Sequence, residues 1–176
     1  GTGRGTGRAV ALGLAECGGK MVLVLRNKEE LDRVVGEIKQ NGGEAYAQVA
    51  DLMNSEQIDA LVKVTVKTYN GLDILINNAG ILRDKTFLKM EPENWHAVLG
   101  VHLNGAYNVT RPAFAVMKEK GYGRVLLTTS AAGLYGNFGQ ANYSAAKMAL
   151  VGMMNTLKLE GEKYDIRVNT VAPLAA

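Results

Sequence analysis

Tyr143 and Lys147 are separated by Ser144-Ala145-Ala146, within a run of good helix formers. On a helix that spacing puts the phenol and the ammonium one turn apart on one face. An unperturbed tyrosine titrates near ~10, so acid or base work near neutral pH asks for a drop of about 3 units, roughly 4 kcal/mol. A cation about 4–5 Å away, at an effective dielectric near 20, supplies on the order of 3–4 kcal/mol. The chemistry this pair suits is proton transfer. Ser130 follows the hydrophobic run Val125-Leu126-Leu127 and is expected where a strand leaves the sheet, the usual place for chemistry in an open α/β sheet. A plain surface helix turn would also contain Tyr-Ser-Ala-Ala-Lys, so the elements around it have to decide.

The 176 residues amount to one domain, and 47% hydrophobic content is enough for a core. The net charge of +3 is spread without a basic block, which argues against nucleic acid or a membrane surface as partner. The single cysteine, Cys17, leaves no internal disulfide and suits a reducing compartment, so a soluble, cytoplasmic protein is expected. Cys17 falls on the apolar pattern of Val10 and Leu14 and reads as packing. His96 and His102 are the only histidines, no Cys/His cluster has zinc-site spacing, and no metal is expected. No apolar stretch reaches the ~18 residues of a membrane span.

The chain opens on Gly1-Thr-Gly-Arg-Gly-Thr-Gly7, and an apolar-periodic helix is expected from Arg8. Backbone amides of such a loop, with the positive end of the helix, make a pyrophosphate cradle. Strands are expected at 20–25, 44–50, 72–76, 123–129 and 166–172, the first nearly continuous in apolar residues, as for a strand covered on both faces. Between them, helices are expected over 27–40 with Leu31, Val34, Val35 and Ile38 on one face, and from Asn54 or Ser55 to Tyr69. A further helical region runs from Pro92 to about Lys120, which Pro112 should kink or divide, and another carries Tyr143 and Lys147 to about Tyr164. Strict alternation of strand and helix predicts parallel βαβ units in a three-layer sandwich, one domain throughout.

With these motifs in this order, the chain resembles the short-chain dehydrogenase/reductase family. The glycine loop matches at Gly1, Gly5 and Gly7, the acidic adenine-side position at Asp51, the Asn-Asn-Ala-Gly turn at Asn77 to Gly80, and the serine, tyrosine and lysine at Ser130, Tyr143 and Lys147. The resemblance implies an α/β fold with a doubly wound parallel sheet of Rossmann type, and a nicotinamide dinucleotide across the carboxyl ends of its strands. It implies that Tyr143 gives or takes the proton, Ser130 holds the substrate oxygen, and Lys147 tunes the tyrosine and bonds the nicotinamide ribose. Asp51, Leu52, Asn78, Ala79 and Gly80 would line the cofactor. It also implies a strand before Gly1 and a substrate-covering segment after Pro173, so these residues are expected to be part of a longer chain.

One position departs from the family. Its usual helix asparagine, in an Asn-Leu-x-Gly setting, is His102 in His102-Leu103-Asn104-Gly105. Asn104, two residues on, would face another way. His102 is read as bonding a backbone carbonyl, holding a water in the proton path, or packing inertly. That histidine, with Gly80-Ile-Leu-Arg-Asp84 and Gly136 to Lys147, is most similar to the (3R)-hydroxyacyl-CoA dehydrogenase branch and to the 3-oxoacyl-acyl-carrier-protein reductases. The resemblance implies a small-molecule 3-oxoacyl or 3-hydroxyacyl thioester substrate, carried by CoA or a carrier protein. Reduction of another carbonyl, of a sugar, steroid or small ketone, and a non-catalytic dinucleotide sensor or scaffold are the alternatives.

Cofactor choice divides the signals. Where NAD-preferring proteins carry an Asp after the second strand, this chain has Leu25 and then Arg26. Arg26, with Arg4 of the glycine loop, could pair with a 2′-phosphate, which favours NADP. The branch resembled implies NAD as the alternative. The helix after Tyr143 carries Met148, Leu150, Val151, Met153, Met154 and Leu157, apolar around much of its circumference. It is therefore expected, with Val109 to Met117, to pack in a homodimer or homotetramer.

Overall fold

The β-branched and leucine-rich run Met21–Leu25 (β1) pairs in parallel with Ala45–Val49 (β2), Leu23 opposite Ala47. A parallel pair needs a crossover, and Lys28–Gln40 (α2) supplies it. Asn27 caps α2 by accepting from the Glu30 N–H at 3.2 Å, and Leu31, Val34, Val35 and Ile38 are buried, the stripe that the sequence spacing predicts. The computed structural model describes residues 2–174 and divides into two units at Asn70/Gly71. The first unit also contains Gly5–Glu16 (α1) and Ser55–Tyr69 (α3), whose cap Asn54 accepts from the Gln57 N–H at 3.1 Å. Its core joins Ala11 and Ala15 of α1 to Leu23 and the buried stripe of α2.

In the second unit Ile74–Asn77 (β3), Gly123–Thr128 (β4) and Ile166–Val171 (β5) form a parallel sheet in that order. Leu75 pairs with Val125, and Val125 with Val168. The connections are Pro92–Leu99 (α4), Gly105–Lys120 (α5), the short Ala131–Tyr135 (α6) and Ala141–Gly161 (α7). Val125, Leu127, Ile166 and Val168 of the sheet pack with Met117 of α5 and Leu150 of α7. Strand and helix alternate in both units, in the parallel α/β order expected. Among the described residues no helix is long and apolar enough to cross a membrane.

Three expectations are corrected. Cys17, read as packing, is exposed, because α1 ends at Glu16 and the cysteine is its C-cap. The first helix begins at Gly5 rather than Arg8, because Gly5 takes φ +53, a conformation that costs glycine little, and so can open the first turn. Pro112 does not divide its helix: α5 runs through it, and the interruption lies earlier, in a π-turn at Gly100–Asn104. Proline removes one helical hydrogen bond, but Val109, Ala113 and Met117 on either side are buried and hold the segment in place. Those residues serve this chain's own core.

Candidate active site

Ser130 stands two residues beyond β4 and caps α6, its Oγ accepting from the Ala132 N–H at 3.2 Å. Accepting uses a lone pair, so the hydroxyl hydrogen remains for a substrate oxygen. Gly133 of α6 lies against α7 so closely that a Cβ there would stand 2.8 Å from that of Lys147. The strand end grips the same lysine twice. Thr129 Oγ1 donates to the Lys147 carbonyl at 2.7 Å, and Lys147 Nζ donates to the Thr128 carbonyl at 2.5 Å. The Nζ lies 5.5 Å from the centroid of the Tyr143 ring, so the phenol and ammonium do share one face of α7. Lys147 is 4% exposed, and burial lowers its pKa to about 8.

His102 sits in the π-turn, a distortion frequent at functional sites. Its ring meets that of Tyr143 edge-on, with centroids 5.1 Å apart. Nε2 faces both backbone groups of Ile81, the N–H at 3.0 Å and the carbonyl at 2.8 Å, and the tautomer decides which bond is made. Nδ1 is buried without a partner. Burial, and then the charge of Lys147, lower the histidine pKa to about 4 against the opposing pull of the Ile81 bond. The backbone contact read for His102 is present at Ile81, and Asn104 is exposed. Gly80 has its reason here, since a Cβ at that position would collide with the His102 ring. Asn78 and Ala79 lie half-buried in the same turn after β3, and Asn77 donates to Thr110 Oγ1 at 3.0 Å.

In the first unit the glycine loop lies at the exit of β1. Arg33 of α2 donates to the Gly3 carbonyl at 2.8 Å, and a Cβ on Gly3 would stand 2.7 Å from Leu25 Cδ1. Arg4 is the exposed, extended residue before α1, Gly5 has open space where a Cβ would go, and Gly7 is buried in the helix. Gly1 lies outside the described residues. Arg26 is exposed immediately after β1. β1 and β2 are parallel and in register, so Asp51 and Leu52 emerge at the same end. Asp51 Oδ1 accepts from the Met53 N–H at 2.9 Å, which closes the turn and leaves Oδ2 outside that bond. Open amides at the start of a twelve-residue helix and two exposed guanidiniums are donors that fit a dinucleotide's phosphates, and the Asp51 carboxylate is an acceptor that fits its hydroxyls.

The sequence reading missed Thr128, Thr129 and Arg33. Each acts through a backbone carbonyl, and only the threonine pair before Ser130 hinted at it.

The sequence model of the family described as short chain dehydrogenase matches residues 1–175. The peroxisomal multifunctional enzyme type 2 of Mus musculus is 45% identical over 184 residues, covering 99% of this chain and 25% of that protein. A 3-oxoacyl-[acyl-carrier-protein] reductase of Synechocystis sp. is 42% identical over 174 residues, covering 98% of this chain and 70% of that protein. The solved structure of NAD+-bound xylitol dehydrogenase aligns with a TM-score of 0.95 and 31% identity over 98% of this chain and 66% of its own. The chain thus spans from 25% to 70% of the length of these proteins. A match along almost the whole sequence, joined to a parallel α/β fold that holds a lysine beside a tyrosine ring and bonds it to the strand end before Ser130, leaves one assignment: this chain belongs to the short-chain dehydrogenase family.

Proposed function

We propose that the chain is an NAD(P)-dependent oxidoreductase acting on CH–OH groups that interconverts 3-oxoacyl and 3-hydroxyacyl thioesters. The observation that carries it is the buried Lys147 ammonium, fixed by the Thr128 carbonyl and set beside the ring of Tyr143. In the reducing direction Tyr143 gives its proton to the carbonyl oxygen. The Ser130 hydroxyl holds that oxygen, and the Lys147 charge favours the phenolate left behind. A nicotinamide held there would supply the hydride chemistry at the carbonyl carbon. Within the second unit, Asn78, Ala79, Gly80, Tyr143 and Lys147 are the residues proposed to contact the nicotinamide side; Arg4, Gly5, Gly7, Arg26, Asp51 and Leu52 of the first unit, taken by itself, are proposed to bind phosphate and ribose groups. The thioester class is supported by the name of the Synechocystis relative, a 3-oxoacyl-[acyl-carrier-protein] reductase. A second reading, oxidation of a sugar alcohol, is favoured by the likeness to xylitol dehydrogenase.

The test is to incubate the full chain with acetoacetyl-CoA, or a carrier-protein acetoacetyl thioester, and NADPH or NADH, following the nicotinamide absorbance. Turnover with a thioester is expected, and Tyr143→Phe should lower it by about 10²-fold or more while nucleotide still binds. No oxidation of either nucleotide with either thioester removes the thioester reading, and turnover of xylitol in its place installs the second. NADP is the preferred cofactor by this reading, because Arg26 is an exposed guanidinium at the exit of β1 where a carboxylate would repel a 2′-phosphate. Arg26→Ala should then weaken NADPH about tenfold and NADH little, by fluorescence titration. Equal weakening of both would discredit the phosphate role.

A further inference from the structure

Asn142, the residue before Tyr143, is 0% exposed, and its amide makes three bonds. Nδ2 donates to the Arg83 carbonyl at 3.0 Å and to the Asn94 carbonyl at 3.2 Å, while Oδ1 accepts from the Tyr143 N–H at 2.7 Å. The first four N–H groups of a helix have no acceptor within it. Gln140, at the N-cap of α7, offers no side-chain cap, so the Tyr143 N–H depends on Asn142. The Gln140 amide turns elsewhere, donating to Asp84 at 2.8 Å and accepting from Asn137 at 3.0 Å. The Lys85 N–H donates to the Gly139 carbonyl at 2.9 Å. The loop after β3 is therefore fastened to the start of α7 at several points, and the link through Asn142 reaches the backbone of Tyr143 itself.

The chemistry of the position calls for a primary amide. Two carbonyls need two donors, one N–H needs an acceptor, and asparagine offers all of these from one small planar group. A carboxylate would face the two carbonyl oxygens with no hydrogen to share. An apolar side chain of the same size would leave the Tyr143 N–H without its acceptor and untie the Arg83 and Asn94 carbonyls from α7. The other end of the same loop is tied to the same ring, since Ile81 is held by His102, which packs edge-on against Tyr143.

We propose that Asn142 is a positioning residue for the proton-transfer step: it locks the backbone of Tyr143 to the loop after β3 and to α4, and so fixes the phenol relative to Lys147 and Ser130. The proposal rests on Tyr143 being the proton donor. Misplacing a reacting group by about 1 Å costs on the order of 10²-fold in rate without removing any group that binds.

The experiment compares Asn142→Asp and Asn142→Ala in the full chain. Asn142→Asp keeps an oxygen for the Tyr143 N–H and loses both donors, and Asn142→Ala loses all three bonds. Both should lower kcat about 10- to 100-fold while KM for the thioester and the nucleotide Kd stay within about threefold. Amide hydrogen exchange at Tyr143 should quicken about tenfold or more in Asn142→Ala. A kcat for Asn142→Asp within about twofold of the parent overturns the proposal. So does nucleotide affinity lost in step with kcat, Tyr143 exchange unchanged in Asn142→Ala, or loss of the cooperative thermal transition in both variants. If only Asn142→Ala fails to fold, the kcat of Asn142→Asp decides. Failure of the underlying reading looks different: the parent is then inactive, or Tyr143→Phe is active, whatever the exchange at Tyr143 shows.

Discussion

His102 and Lys147 are buried in one neighbourhood, and burial opposes charge on both. The consequences for stability lie at opposite ends of the pH scale. The histidine pKa falls from 6.5 to about 4, so between those values the unfolded chain binds more protons than the folded one. Stability is then lost as pH drops from 6.5 towards 4, and the gap is worth roughly 3 kcal/mol at about 1.4 kcal/mol per pH unit. Lys147, lowered from 10.5 to about 8, makes stability rise as pH climbs between those two values, where the folded amine is the first to give up its proton. His102→Asn keeps a polar group able to bond Ile81 and cannot take a charge. Urea midpoints measured from pH 7 to pH 4 should therefore fall less steeply in His102→Asn than in the parent. Parallel curves would mean that His102 is not the group behind the acid limb.

At the scale of elements, what could be read in advance was what is local. Leu31, Val34, Val35 and Ile38 recur at helical spacing, and all four are buried in α2. Tyr143 and Lys147 share a face because an i, i+4 spacing holds on any helix, and Ser130 follows a strand because Val125 and Leu127 bury themselves in β4. What could not be read depends on distant partners. The π-turn at Gly100–Asn104 carries His102 to the Ile81 backbone, and the fit requires an absent Cβ at Gly80, twenty-two residues away. Pro112 looked like a breaker because its missing N–H is a local fact, whereas the burial of Ala113 and Met117 that overrides it is not. Thr129, Arg33 and Asn142 escaped for the same reason: each is an ordinary polar residue until the carbonyl it meets is known, and Thr128 acts only through its own backbone carbonyl, which accepts from Lys147. Side-chain chemistry at fixed spacing is legible, and hydrogen bonds to remote backbone are not.

For the molecule as a whole, the open question is what covers α7. Ala146 and Leu150 are buried, and Met153, Met154 and Leu157 pack at the edge of the core formed by β4 and β5. Met148, Gly152, Asn155 and Leu159 fall on one remaining stripe, spaced by four, three and four residues, and all four are exposed. Met148 is 49% and Leu159 68% exposed, two large apolar side chains flanking a glycine with open space above it. The neighbouring expectation for α5 needs narrowing. Val109, Ala113 and Met117 are spent on this chain's own core, which leaves Tyr107, 55% exposed, and Ala115 as the outward apolar residues of that helix. A net charge of only +3 opposes self-association weakly. A second copy laid along Met148 to Leu159 would bury a largely apolar stripe over rather more than half the length of α7. Light scattering at micromolar concentration should accordingly give twice or four times the protomer mass. Met148→Glu combined with Leu159→Glu should return the single protomer mass with the thermal transition still cooperative, because neither residue belongs to the buried core. A parent protein that scatters as a monomer would leave the stripe without a partner and the homo-oligomer rejected.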